Sequence, residues 1–179
     1  MQAVLVTDAE LKADAAFGSA DFERTFDQDH QVNYAYGVVP ACGPRAASST
    51  TEGRAVHAWS RGWWTGHGIA GQDAYVLPEQ TAETVLAKVK SNLAGCGSFH
   101  EDDVTYQKTA KNQVKLPAGF PGAVAVCFEG SGDSACFAYL GRGHVVVRLF
   151  STAEDQAAAQ KQLQALLVPV VARLRPLPA

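Results

Sequence analysis

The stretch from Gln72 to Gly97, QDAYVLPEQTAETVLAKVKSNLAGCG, restricts the fold more than any other, because it demands a strand, a turn and a helix in fixed order. The apolar run Ala74 to Leu77 stops at Pro78. Ala82, Val85, Leu86, Val89 and Leu93 then recur at helical spacing and form one stripe of an amphipathic helix. Lys88, Lys90 and Asn92 point away from it. Gly95 stands where a left-handed cap would end the helix, which delivers Cys96 to a fixed place. A second unit follows the same plan from His144 to Leu174, HVVVRLF and then STAEDQAAAQKQLQALLVPVVARL. Both units carry Thr-Ala-Glu at the helix start, Thr81 to Glu83 and Thr152 to Glu154, and Ser151 with Glu154 has the pattern of a capping box. The shared tripeptide allows an internal duplication. Leu163, Leu166, Leu167, Val170 and Leu174 continue the apolar stripe, and Pro169 predicts a kink or break with Val168 pushed out of the helical region.

Other elements follow from alternation and turn residues. Thr7 to Glu10 form a capping box opening a short helix, with Leu11, Ala15 and Phe17 as its apolar side and Gly18 closing it. Ser19 to Gln31 has no period and is expected to be a surface loop anchored by Phe22 and Phe26. VNYAYGVV is expected to be a strand or an extended segment and AASSTTEG a polar connector or short helix. In RAVHAWSRGWW, Val56, Ala58 and Ser60 share one face of a strand while His57, Trp59 and Arg61 share the other. Trp63 and Trp64 are adjacent, so an extended strand sends them to opposite sides. Val104 and Tyr106 face one way along a strand-bearing excursion. Ala123 to Phe128, Ala135 to Leu140 and His144 to Phe150 are three antiparallel strands, joined by the Gly130-to-Asp133 turn and by Gly141, Arg142 and Gly143. The expected fold class is α+β: a largely antiparallel sheet covered by two long helices, with two disulfides.

The chain has 179 residues, almost half of them apolar, and suits one domain over residues 1–179. A net charge of −3 with scattered Lys and Arg argues against nucleic acid and against an anionic membrane surface. No run is long enough for a transmembrane helix, and MQAVLVTDAE lacks the features of a signal peptide, so no targeting segment is expected within this chain. The four cysteines have no metal or redox spacing. Cys127 and Cys136 flank a hairpin turn that places them opposite each other, which leaves Cys42 for Cys96. In the chain-entropy view the two loops contribute roughly 3 and 4 kcal/mol. Disulfides imply an oxidising compartment; the alternative is four buried thiols.

Gly66 to Gly71 spell G-x-G-x-x-G, but they lead into a strand instead of opening a helix, so a flexible turn is expected and no dinucleotide cofactor. Ser131, Ser134 and the five histidines, His30, His57, His67, His100 and His144, lie in no recognisable catalytic frame. The dense aromatic patch is different. Trp59, Trp63 and Trp64 with His57 and Arg61 are the candidate ligand-binding residues, since at least one of the adjacent indoles must leave the core layer beside a Gly-rich loop.

The order of Cys42, then AYVLPEQTAETVLAKVKSNLAGC ending in Cys96, then ACFAYLGRGHVVVRLF and a closing helix resembles the extracellular sensor domain of actinobacterial PknH-type serine/threonine kinases, found also in secreted lipoproteins. The resemblance spans most of the chain. It implies an α+β fold with two disulfides and a ligand-binding cleft, without enzymatic activity or cofactor. The sequence departs from that pattern in one place: the fourth cysteine, expected near Ser151, stands upstream at Cys127. The resulting expectation is an extracytoplasmic, sensor-like domain that binds an unknown small molecule or cell-envelope ligand. A secreted protein-interaction or inhibitor module is the alternative, with a protein partner, and an unrecognised hydrolase is third.

Overall fold

The computed structural model describes residues 2–17, 22–34, 42, 54–66, 68–101 and 103–178. A 3₁₀ turn, Gln2–Val4, leads into α1, Asp8–Lys12. The strands are β1 (Phe22–Tyr34), β2 (Arg54–Thr65), β3 (Ile69–Val76), β4 (Ser98–Glu101), β5 (Val104–Thr109), β6 (Val124–Glu129), β7 (Ser134–Arg142) and β8 (Val145–Ala153). The helix α2, Ala82–Gly95, follows β3, and α3, Gln156–Leu174, follows β8. All eight strands form one sheet in the order β1-β2-β3-β8-β7-β6-β5-β4, and every described pairing is antiparallel. Of the three described α-helices only α2 and α3 are long, since α1 has five residues.

The long helices cover opposite faces. In β7, Cys136, Ala138 and Leu140 pack with Leu163, Leu166 and Val170 of α3, whereas Ala135, Phe137 and Tyr139 pack with Val85, Leu86 and Val89 of α2. Near-continuous burial along β7 and β8 is what a strand covered on both sides requires. Leu5, Val6, Leu11 and Phe17 complete the α3 side over Trp63. Gln162 ties α3 to the sheet by accepting from Ser151 Oγ (2.6 Å) and donating to Thr65 Oγ1 (3.2 Å).

The capping box at Thr7 and Glu10 forms, and the α2 stripe is buried at all five positions. Both disulfides pair as read, Cys42 with Cys96 and Cys127 with Cys136, the latter directly opposite in the β6–β7 register. Several expectations are corrected. Gly95 is the last helical residue, and the extended Cys96 caps α2 with its N–H on Leu93 O, so no left-handed glycine is used. Ser151, Thr152 and Ala153 continue β8, and Asp155 caps α3 by accepting from Ala158 N. The capping box of Ser151 with Glu154 is therefore absent. The two Thr-Ala-Glu tripeptides also occupy different structural positions, which removes the sign of duplication. The helix α3 runs through Pro169, with Val168 helical and exposed.

The largest correction concerns Ser19 to Gln31. From Phe22 onward it is an edge strand, and a bulge between Arg24 and Phe26 turns Phe22 and Phe26 to opposite faces. No apolar alternation announces it, because the β1 side chains that meet β2 on one face are the exposed carboxylates Asp27 and Asp29, which contact Arg61 and His57. In α1, Leu11 is buried while Ala15 lies exposed beyond the helix end. Gly18, AASSTTEG and the later part of VNYAYGVV lie outside the described residues.

Candidate functional site

The alternation along β2 divides the five candidate residues between the two faces. On the α3 side, Trp63 is fully buried, and its Nε1 donates to Asp8 Oδ1 at 2.7 Å. Arg61 donates to Val6 O (2.7 Å) and to Asp27 Oδ2 (2.9 Å), Trp59 Nε1 donates to Asp27 Oδ1 (2.6 Å), and His57 contacts Asp29. Arg24 bridges Asp8 and Asp27. These four candidates are thus occupied in fastening β1 and α1 to β2. Asp8 and Asp27 are the essential partners; acidic residues in an aperiodic segment near an Arg-bearing strand were the available signal for Asp27, whereas Asp8 sits in the capping box of α1 and carried none.

The carboxyls of Asp8 and Asp27 lie below the usual aspartate range. Partial burial alone would raise them, but hydrogen bonds from Trp63 and Arg24 to Asp8, and from Trp59 and Arg61 to Asp27, together with the nearby guanidinium charges, outweigh it. Glu10 is lowered in the same way: burial is opposed by the Thr7 hydrogen bonds and by the charge of Arg173.

Trp64 stands alone on the other face. It is 42% exposed and lies opposite Ile69, itself 37% exposed. One row inward the register aligns Phe26, Gly62, Gly71 and Phe150 across four strands. A Cβ at Gly62 would fall 2.3 Å from the Phe26 ring, and one at Gly71 2.3 Å from Phe150 Cζ. Both half-buried rings therefore lie over the glycine pair, and glycine is needed for that approach. The next row holds Ser60, Asp73, Arg148 and Tyr139. There Asp73 accepts from Ser60 Oγ (2.5 Å) and from Arg148 Nε (2.7 Å). Burial would lower the Arg148 pKa, yet Asp73, Tyr75 and Tyr139 leave it raised, while desolvation raises the Tyr139 hydroxyl. The helix α2 packs over β6, β7 and β8, and farther along the same face of the sheet the row of Phe26 and Phe150 with Trp64 and Ile69 beyond it makes an aromatic shelf, with the ion pair of Asp73 and Arg148 buried in the adjoining row.

The third glycine of G-x-G-x-x-G, Gly71, lies inside β3 beneath Phe150, an arrangement for sheet packing. His67 and the His30 side chain lie outside the described residues. His144 Nδ1 contacts the carbonyls of Leu77 and Gln80, and His100 contacts Thr105 on the exposed β4–β5 hairpin. Ser134 is buried in β7, and Ser131 lies in the turn. No group of metal-binding side chains occurs among the described residues, and no helix is long and apolar enough to cross a membrane.

Among solved structures the chain is similar to one described as the crystal structure of the extracellular domain of PknH from Mycobacterium tuberculosis. The TM-score is 0.60 and the identity 15%, over 96% of this chain and 95% of that one. The resemblance read from the cysteines and strand-helix units therefore holds for the fold. No protein-family model and no curated protein matches the chain.

Proposed function

We propose that this chain is a non-enzymatic, extracytoplasmic, sensor-like domain that binds a small-molecule or cell-envelope ligand on the aromatic shelf on the α2 face of the sheet. The exposure of Trp64, next to Ile69 and two aromatic rings laid over paired glycines, is the observation that carries the reading. Indole and phenyl faces of this kind suit a flat or apolar ligand. The buried pair of Asp73 and Arg148 supplies a fixed base. Two disulfides support an oxidising compartment, and the fold shared with the extracellular domain of PknH supports a sensor-like role without chemistry of its own.

Of the residues first singled out, Trp64 is retained as the ligand contact, with Phe26, Ile69 and Phe150 added. Trp63, Trp59, Arg61 and His57 hold the strands that present it. Titration with the flat, neutral probe N-phenylnaphthylamine tests the reading. The native chain should bind it, and Trp64→Ala should lose binding without loss of stability; equal binding by both would reject the site.

A secreted protein-interaction or inhibitor module is the second reading. It draws on the exposure of the adjacent apolar pair Trp64 and Ile69. Failure of small probes combined with saturable capture of a single envelope protein, abolished by Trp64→Ala, would favour it.

A further inference from the structure

The segment from Lys111 to Pro117 runs alongside α3 as a strap, and three glutamines one turn apart hold it. Gln156 and Gln160 each donate through Nε2 to Lys111 O, at 2.7 and 2.9 Å. Gln164 accepts from Lys115 N at 2.8 Å and donates to Lys115 O at 3.2 Å. The same helical stripe continues at Val168 and Ala172, where polar rungs give way to apolar ones. Beyond the strap lies a groove of about 390 Å³ whose floor is Pro117, Leu167, Val168, Val171 and Ala172. Val168 is 67% exposed, more than any other large apolar residue described.

Two cations, Lys115 and Arg175, complete the lining together with Gln164, whose amide is already engaged by the strap. Among the described residues neither cation has a carboxylate partner, and no acidic residue lines the groove. A ligand for this place must therefore bring a hydrocarbon and a negative charge. A second copy of the chain fits poorly, because a two-fold contact would set Lys115 and Arg175 against their own like charges. A bilayer fits poorly as well, since a chain of net charge −3 offers no broad basic field.

We propose that this groove binds a single-chain anionic amphiphile of the fatty-acid type, its hydrocarbon against Val168 and Ala172 and its carboxylate paired with Arg175 at one end, while Lys115 adds positive charge at the Gln164 end. The site lies on the opposite side of the sheet from Trp64 and does not depend on the shelf. A charge-assisted bond to Arg175 and the positive charge of Lys115 give the groove its preference for an anion, and the strap clamped by Gln164 gives it a fixed wall.

The test uses the oxidised full chain, sodium dodecanoate below its micelle concentration, and methyl NMR of valine and alanine. Dodecanoate should shift the Val168 and Ala172 methyls saturably. The double variant Lys115→Gln/Arg175→Gln should weaken dodecanoate about tenfold and leave neutral dodecanol unchanged. Val168→Asp should abolish both. All three positions are exposed, so the variants should keep the native spectrum elsewhere. The proposal is overturned if Ala172 does not shift, if dodecyltrimethylammonium binds as well as dodecanoate, or if the double variant binds unchanged. A shift confined to the Trp64 indole would overturn it too, while leaving the shelf reading standing.

Discussion

Trp63 and Trp64 are neighbours in β2, yet the first is sealed under Leu5 and Val6 with its indole N–H on Asp8, and the second is 42% exposed on the opposite face. Alternation along an extended strand alone produces the difference. It predicts unequal mutants. Trp63→Ala should cost about 3 to 5 kcal/mol, the usual range for a buried Trp, and Trp64→Ala about 0.5 kcal/mol or less. Denaturant melts of both decide it, and equal large losses would place both indoles in the core.

Gly62 and Gly71 face each other beneath two phenyl rings, but they should differ in tolerance. A Cβ at Gly71 would meet the Phe150 ring and also lie 2.8 Å from the Arg61 carbonyl, while one at Gly62 meets the Phe26 ring, on an edge strand. Gly71→Ala should therefore destabilise by about 1 to 3 kcal/mol, with a smaller loss for Gly62→Ala as Phe26 swings aside. Thermal melts compare them, and a harmless Gly71→Ala would contradict the packing described for that row.

The β1 fastening predicts a pH dependence. Asp8, Glu10 and Asp27 have folded values below their unfolded ones. Their contribution is full above the unfolded value of about 4 and is lost as pH falls from there through the lower folded values. Melts between pH 7 and pH 2 should show Asp27→Asn less stable at neutral pH and converging on the native chain in acid. Parallel curves would mean that Asp27 does not carry this coupling.

Each disulfide closes a loop of different length, with 54 residues separating Cys42 from Cys96 and 9 separating Cys127 from Cys136. The paired replacement Cys42→Ala/Cys96→Ala should cost about 4 kcal/mol and Cys127→Ala/Cys136→Ala about 3 kcal/mol. Unreduced peptide mapping should recover these two links; a crossed pattern would contradict the β6–β7 register itself.

What the sequence disclosed and what it hid have physical causes. The α2 stripe, the three-strand meander from β6 to β8 and the Cys127–Cys136 link are local patterns and appear where read; the long-range Cys42–Cys96 link followed from them by elimination. The edge strand β1 was hidden because its side-chain contacts with β2 are non-local polar ones, Asp27 with Arg61 and Trp59 and Asp29 with His57, which leave no apolar period along β1. The helix starts at Thr152 and Gly95's expected cap misled because strand pairing extended β8 past the tripeptide and the Cys96 disulfide end took an extended form. At the site, alternation identified the two-faced tryptophan pair. It carried no sign of the carboxylates that occupy Trp59 and Trp63, nor of the Phe26 and Phe150 rings that lie over the glycine pair in the next row.

The central claim is that Trp64, and no other tryptophan, meets the ligand. Labelling the chain with 5-fluorotryptophan gives three ¹⁹F resonances, for Trp59, Trp63 and Trp64, each identified by its Phe variant. On titration with N-phenylnaphthylamine the Trp64 resonance should shift saturably while the Trp63 resonance stays fixed. A fixed Trp64 resonance, or a first response at Trp59 on the opposite face, would contradict the account.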